Sequence, residues 1–574
     1  ARKPPRKRRS SFSLLAAPPA PALAPLVGDG ATTTNPPPPI GARDGASKDA
    51  EAGLVTKSLL LENGSRGPTD HDATANDDAA ATTEDTELDM ETDPQPLVWR
   101  RIHYTIQVPA SSQDRAAGAP RMKDVELVHD VSGFAMPFEM TALMGSSGAG
   151  KTTLMDVVAF RKTKGKSVGS VFLGKELLNL GTVKRSVGYC EQFGVHMPTA
   201  TVRESIEFSA AMRLPETVDA ASRARRVAAA ERATGLTPIA NNLVGSAETG
   251  GLSLEQNKRL TLAVELVTSP RVMFADEPTT SLTSREALLT INALERVAKS
   301  GRCVVCTVHQ PSAELFSHFH RVLFLKRGGR VAYFGPVKHL EKYFEALPGV
   351  PRLKPEDNPA SWVLSLLGAG AGPKKGAKPS GSGSGSGSAT AATSTIAFDE
   401  AYVSSALMVE NERIAMEMTG EDVTASFAVS SFGGGGGGAG GAATATYRLS
   451  RTARLNFLLA RSFKDFWRTP SYSVLRVVML LFTAILVGVI VVGQPLSGAA
   501  GVQSRAGVIN ILVMVAGQHA SGIIIPHLVS RRPLMHRERG AGLYSGVDWA
   551  ITHILTEDTY NLVSVSIGTV VFYF

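Results

Sequence analysis

Over residues 1–93 the apolar positions follow neither a helical nor a strand period, and proline, alanine and acidic residues dominate. Such a stretch buries too little apolar surface to offset chain entropy, so disorder is expected there. Order begins near Leu97. LVWRRIHYTIQV alternates as a strand, and ELVHDVSGFAMPFEMTALMG predicts two more, with turns at Ser132-Gly133 and Pro137. Apolar runs then trade places with amphipathic ones. Strands are predicted at 186–190, 272–275 and 303–308, and a hairpin at 322–326 and 330–334 around Gly328-Gly329. Helices are predicted from the capping box Thr201-Val-Arg-Glu204 to about Arg213, then over 218–234, 254–268 and 284–300. Strands alternating with helices predict an α/β fold, with a mostly parallel sheet covered on both faces.

The pattern changes near residue 368. GSGSGSGS (381–388) and the glycine run 433–438 read as flexible linker, with a helical island at 398–418 between them. The expected division is thus a tail at 1–93, a globular domain at 94–367, a linker at 368–450 and a helical region at 451–574. Within the last, 473–493 is about twenty residues with one charge, Arg476, near its start, the length of a membrane-spanning helix. Further spans are expected at 506–529, which contains Gln518, His519 and Pro526, and at 547–574, which contains Glu557 and Asp558. Those two acids either line a pathway or mark a helix break. Arg461, Lys464 and Arg468 precede the first span, and Arg531, Arg532, Arg537 and Arg539 follow the second, whereas only Arg505 lies between spans one and two. This asymmetry predicts a multi-pass protein in the bilayer, its globular domain and the 531–539 loop on the cytoplasmic side.

Composition adds little to this picture. The net charge of +8 comes from the basic N-terminus and the span flanks, so no nucleic-acid partner is expected. KRRSS (7–11) reads as a solvated tail or as a phosphorylation or localisation signal. There are three cysteines and hence no disulfide framework. Cys303 and Cys306 sit three apart on a predicted strand, which points them to opposite faces. The chain starts at Ala1 and stops at Phe574 in an apolar run, and both ends are expected to be cut.

The chemistry centres on GSSGAGKTT, that is Gly145, Ser146, Ser147, Gly148, Ala149, Gly150, Lys151, Thr152 and Thr153. It fits the phosphate-binding loop G-x-x-x-x-G-K-[ST] in strand–loop–helix context, marking a P-loop NTPase that binds ATP. Loop N–H groups and the helix N-terminus cradle phosphate, Lys151 reaches the β- and γ-phosphates, and the Thr152 hydroxyl ligates Mg²⁺. Asp276 ends an apolar strand where it can hold Mg²⁺ through water, and Glu277 beside it can polarise the attacking water. Gln192, after another strand, can touch Mg²⁺ or the water. His309, at the end of a third, can bond the γ-phosphate. Lys151, Glu277 and His309 are therefore the expected catalytic residues, and Thr152, Gln192 and Asp276 the expected metal-site residues.

With GYCEQ (188–192), GLSLEQNKRLTLAVELV (251–267), FADEPTTSL (274–282) and CTVHQPSAELF (306–316), this loop resembles the ATP-binding cassette of ABC transporters. Within that family the chain is most similar to the G subfamily, and there to the second half of full-size pleiotropic-drug-resistance transporters. That half reads L-S-x-E-Q-x-K-R in place of L-S-G-G-Q. PTATVRE (198–204), YFGP (333–336), DNPASWVL (357–364), FKDFWRTPSY (463–472) and HRERGAGLYS (536–545) share the resemblance. It implies a helical subdomain over about 198–270, a connecting helix before the first span, and a signature whose Ser253 and Gln256 contact ATP held by an opposite cassette. The implied partners are that second cassette and a second membrane half. The implied activity is ATP-driven export of hydrophobic small molecules or lipids across the plasma membrane. The alternative is an ATP-binding membrane protein that does not transport. Where the family reads P-T-S-G-L-D-S, this chain has Pro278-Thr279-Thr280-Ser281-Leu282-Thr283-Ser284, so a glycine has become Ser281 and an aspartate Thr283. No aromatic precedes the loop at the usual adenine-stacking distance. Tyr104 is a distant substitute. The family has six spans per half, and three are expected here.

Overall fold

A computed structural model describes residues 93–110, 120–246, 250–368, 396–420, 431–432, 449–491 and 497–573. The N-terminal tail and both glycine-rich linkers lie outside them, apart from the helical island and short stretches at the edges. One sheet is antiparallel: β1 (Leu97–Pro109) pairs with β2 (Met122–Ala135) and with β4 (Lys166–Leu173), and β4 also pairs with β5 (Glu176–Leu177) and β13 (Ser431–Phe432). The other contains β3 (Met140–Gly145), β6 (Val187–Cys190), β9 (Val272–Ala275), β10 (Cys303–Thr307), β11 (Arg321–Lys326) and β12 (Arg330–Pro336) in the order β12-β11-β3-β10-β9-β6. All its pairs are parallel except β11 with β12. A two-stranded ribbon, β7 (Gly245–Ser246) with β8 (Gly250–Gly251), lies apart.

Every residue of β3, β9 and β10 is buried, which is why those strands read as unbroken apolar runs. One face of the parallel sheet packs on the helix Lys151–Val158 through Leu154, Met155 and Val157, the other on Ser284–Lys299 through Ile291, Leu294 and Val297. Each such side chain contributes about 1.5–3 kcal/mol by leaving water. Cys303 joins the first core and Cys306 the second, both as free thiols. Burial pushes each thiol up to about 12, so both stay protonated and inert.

Three helices, Val202–Arg213, Ala220–Ala233 and Leu254–Leu266, form a subdomain with its own small core of Ile206, Ala230, Leu260 and Ala263. The capping box read from Thr201 and Glu204 is present. The helical island is two helices, Phe398–Val403 and Ala406–Thr419, docked on the cassette rather than standing free. Asn411 donates to the Phe334 carbonyl of β12 at 2.7 Å, and Lys326 pairs with Asp399 at 2.9 Å.

The C-terminal region is four helices: Arg451–Trp467, Pro470–Val491, Gly498–Gly540 and Gly546–Tyr573. Among the described residues, two stretches are long and apolar enough to cross a membrane, Pro470–Ile490 with mean hydropathy 2.5 and Gly498–Val515 with 1.3. Val474, Val478, Phe482, Ile485 and Val489 make an exposed apolar stripe on the first. The helix Gly546–Tyr573, expected as a third span, is not among the stretches that meet that measure. Its Glu557 and Asn561 both bond Arg476 of the first span. The helix is unbroken at Glu557 and Asp558, so the helix-break reading of those acids does not hold. A second difference lies at 531–539. These residues were expected as a loop after a span ending at Val529, yet the helix runs through Pro526 and Pro533 to Gly540. Side-chain ion pairs along its last turns, described below, offset the backbone bonds the prolines remove.

Candidate nucleotide site and its link to the membrane helices

Parallel register brings the site together. Leu143 pairs with Thr307, Cys306 with Ala275, and Ala275 with Cys190, so β3, β10, β9 and β6 end along one edge. The loop at Gly145, the residues after Thr307, the Asp276-Glu277 pair and the segment holding Gln192 all emerge there. Gly145 has φ +147°, and a Cβ on it would lie 2.2 Å from the Leu325 carbonyl, so only glycine fits. Gly150 caps the helix Lys151–Val158 at φ +97° without a side-chain hydrogen bond, leaving the helix's first N–H groups for a ligand.

Lys151 is 7% exposed and folds back on the loop, donating from Nζ to the Gly145 carbonyl at 2.9 Å and the Ser146 carbonyl at 3.1 Å. Burial lowers its ammonium, opposed by Glu277 and Asp276. Thr152 Oγ1 donates to Asp276 Oδ1 at 3.1 Å, and Thr307 Oγ1 donates to the same oxygen at 2.6 Å. Burial raises the Asp276 carboxyl against these two bonds. Gln192 Nε2 donates to Glu277 Oε2 at 2.8 Å, and Thr280 Oγ1 to the same oxygen at 3.0 Å. Glu277 sits at φ +46°, a strained position for a side-chain-bearing residue.

Free amides, a lysine and glycines that admit no Cβ suit a polyphosphate. A hydroxyl bonded to a half-buried carboxylate suits a hard cation such as Mg²⁺. The donor set therefore fits both. Thr152, Asp276, Glu277 and Gln192 make one hydrogen-bonded cluster through Thr307, and Lys151 lies on the loop within its electrostatic reach. His309 stands exposed just past β10 on the same edge. Ser253 and Gln256 do not join this cluster by any hydrogen bond recorded for them. They cap Leu254–Leu266 by bonding each other's backbone, with Ser253 exposed. Tyr104 is 3% exposed and donates its hydroxyl to the Lys164 carbonyl, so it is a core residue unable to stack on a base.

A family model described as ABC transporter matches residues 128–280, and one described as ABC-2 type transporter matches 454–574, with a second ABC-2 type model over 309–368. The chain belongs to the ABC transporter family. Among its curated relatives, ABC transporter G family member 38 of Oryza sativa subsp. japonica is 33% identical over 84% of this chain and 30% of its own length. G family member 37 of Arabidopsis thaliana is 32% identical over 86% of this chain and 32% of its own length. The chain thus spans about a third of the length of these relatives. A solved dimeric post-hydrolysis state of an ATP-binding cassette bound to ADP and Pi aligns with 42% of this chain and 98% of its own, at 18% identity and a TM-score of 0.34.

In this ABC chain, three residues of the site had no role assigned from the sequence. Thr307 positions Asp276, and it also accepts the Glu277 backbone N–H at 2.8 Å. Thr280 holds Glu277. Lys258, inside the signature helix, donates to the Glu277 carbonyl at 2.8 Å and the Thr280 carbonyl at 3.0 Å. Burial brings its ammonium down to about 8, against the pull of Glu277 and Asp276. The available signals were a polar residue closing the buried strand CVVCT and a lysine four residues after the signature glutamate's neighbour Leu254. Thr283 caps the helix Ser284–Lys299 in a reciprocal box with Glu286.

The segment after Gln192 meets the membrane region directly. Arg537 donates to the Val195 carbonyl at 2.5 Å and lies 3.2 Å from His196 Nδ1. Thr199 donates to Asp465 at 2.5 Å, and Asp465 takes two bonds from Arg531 at 2.7 and 2.9 Å. Arg461 makes two bonds to Glu538 at 2.6 and 2.7 Å while covering the Phe208 ring at 3.6 Å. Arg468 and Lys464 bind Glu204. Burial alone would raise the Glu204 carboxyl, but bonds from Arg468, Thr201 and Lys464 bring it down to about 2.

Proposed function

We propose that this chain is the cassette and the start of the membrane domain of an ATP-driven exporter of the pleiotropic-drug-resistance type. Its substrates are hydrophobic small molecules or lipids, and it sits in the plasma membrane with the cassette in the cytoplasm. The observation that carries the reading is the continuous path from Glu277 to Gln192, along the segment to Val195, and from Val195 to Arg537.

Hydrolysis needs positioning and charge stabilisation more than covalent chemistry. On binding ATP, Lys151 turns from the Gly145 and Ser146 carbonyls to the β- and γ-phosphates, while loop N–H groups hold the oxygens. Thr152 and Asp276 would hold Mg²⁺, which neutralises phosphate charge when bound. Glu277 leaves its bond with Gln192 to orient a water and take its proton. His309 donates toward the γ-phosphate. Thr307 and Thr280 keep the two carboxylates aimed. Ser253, exposed on the helical subdomain, and the half-buried Gln256 close over ATP held by a second cassette. Gln192 moves as Glu277 changes partner. The Val195 carbonyl carries that movement to Arg537, and so to the helix that continues into the second span.

The test separates binding from coupling. In inside-out vesicles holding the chain with its partner half, Arg537→Ala should keep ATP hydrolysis within about threefold and lower ATP-dependent uptake of fluorescent hydrophobic dyes and lipids by about tenfold or more, as loss of a charged hydrogen bond predicts. Hydrolysis and uptake falling in step would remove Arg537 from the coupling path. Wild-type chain that hydrolyses ATP without moving any probe would favour the non-transport alternative.

A further inference from the structure

Away from the nucleotide edge, His103 of β1 and Glu126 and His129 of β2 converge. The His103 Nδ1 lies 2.7 Å from Glu126 Oε1, and the His129 Nδ1 lies 3.0 Å from Glu126 Oε2. One ligand atom from each of the three falls within 4.8 Å of the others, and this is the one such trio among the described residues. Asp130 Oδ1 stands 3.6 Å from His103 Nε2.

Regular strand geometry would not allow this. Glu126 and His129 are three apart, so an unbroken β2 would point them to opposite faces. The β1–β2 ladder is irregular there: Thr105 pairs with Glu126 but Tyr104 with Val128, leaving Leu127 as an extra residue. A second shift falls between Ile102 and Tyr104, and Asp130 takes φ +45°. Such bulges re-aim side chains at a local cost in pairing. Here they put two imidazoles and a carboxylate on one face. The side chains are 38%, 28% and 34% exposed for His103, Glu126 and His129, so water and ions reach them.

We propose that His103, Glu126 and His129 bind a divalent transition cation of the Zn²⁺ class. Two imidazole nitrogens with one carboxylate oxygen are a borderline-soft set. It suits Zn²⁺ and excludes Mg²⁺ and Ca²⁺, which prefer oxygen donors. Three protein ligands leave a fourth position open to water. In the present arrangement Glu126 bridges the two rings, and the ion replaces that bridge. The site is distinct from the Mg²⁺ position at Thr152 and Asp276 but not remote from the phosphate loop. A Cβ on Gly150 would lie 2.9 Å from the Leu127 carbonyl, and the His129 N–H donates to the Gly329 carbonyl at 2.9 Å. An ion here braces the strand that backs the loop.

The test uses the full chain in detergent, titrated with Zn²⁺ by calorimetry in the presence of millimolar Mg²⁺. Wild type should take up about one equivalent more than His129→Gln or His103→Gln, as a three-ligand site predicts. Retained ATP binding by each variant reports that it folds. A second readout needs no variant: diethyl pyrocarbonate footprinting of wild type, where Zn²⁺ but not Mg²⁺ should protect His103 and His129 from modification. Equal Zn²⁺ uptake by folded variants, or no protection of the two histidines, overturns the proposal.

Discussion

Glu277 and Ser281 both hold positive φ, at +46° and +64°. A side chain in that region costs about 1–2 kcal/mol. Ser281 stands where the resembling family has glycine, so this chain carries strain beside the residue proposed to orient water. The loop is held by contacts rather than by conformational preference: Lys258 bonds the Glu277 and Thr280 carbonyls, and Thr280 bonds the Glu277 carboxylate. Lys258→Met should therefore leave ATP binding within about threefold while lowering turnover roughly 10–100-fold, the worth of a charged hydrogen bond of about 1.5–3 kcal/mol. Measuring the nucleotide dissociation constant and the steady-state rate on the same sample checks this. A rate equal to wild type would make Lys258 a bystander. The phosphate loop, Asp276 and Gln192 were legible from the chain, because an apolar run ending in a polar residue marks a strand's C-terminal edge. Thr307 and Lys258 were not. Each acts through a contact between segments distant in sequence, at 31 residues from Asp276 and 19 from Glu277.

Among elements, strands and capped helices were the most readable. Apolar periodicity and reciprocal caps such as Thr201 with Glu204 are local signals. The helix Gly498–Gly540 was not readable past Val529, because what sustains it is tertiary: Arg531 on Asp465, Arg537 on Val195, and Glu538 on Arg461. The docking of 398–419 on β12 was likewise hidden, since a linker sequence does not say where its ordered part lands. The contact between the connecting helix Arg451–Trp467 and the helical subdomain has a defined pH sense. Glu204 titrates at about 2 in the folded chain and at about 4.5 when free. A lowered carboxylate contributes stability that is complete above the free value and is lost as pH falls through the folded one. The contact should hold at neutral pH and weaken between about pH 4.5 and 2. Thermal unfolding of wild type should then fall more steeply across pH 5 to 3 than that of Glu204→Gln. Identical slopes would show that this ion pair does not stabilise the contact.

For the whole molecule, family membership and the exposed signature point the same way. The Ser253 and Gln256 side chains bond each other's backbone and lie on the helical subdomain, and their proposed ligand is ATP on another cassette. Ser253→Arg should leave ATP binding to this chain unchanged and lower turnover of the paired assembly by roughly 10²-fold, the scale of a lost charge-stabilising donor. Weakened ATP binding to the isolated chain would place Ser253 in its own site instead. Lys151, Asp276 and Glu277 are proposed to form a hydrolytic site whose Glu277 acts on water rather than on nucleotide affinity. That role is tested most directly by Glu277→Gln in lipid with the partner cassette, with ATP binding and phosphate release measured together. Binding should stay within about threefold of wild type and release should slow by about 10²–10⁴, the range for a lost acid–base group. Phosphate release at the wild-type rate would contradict that role.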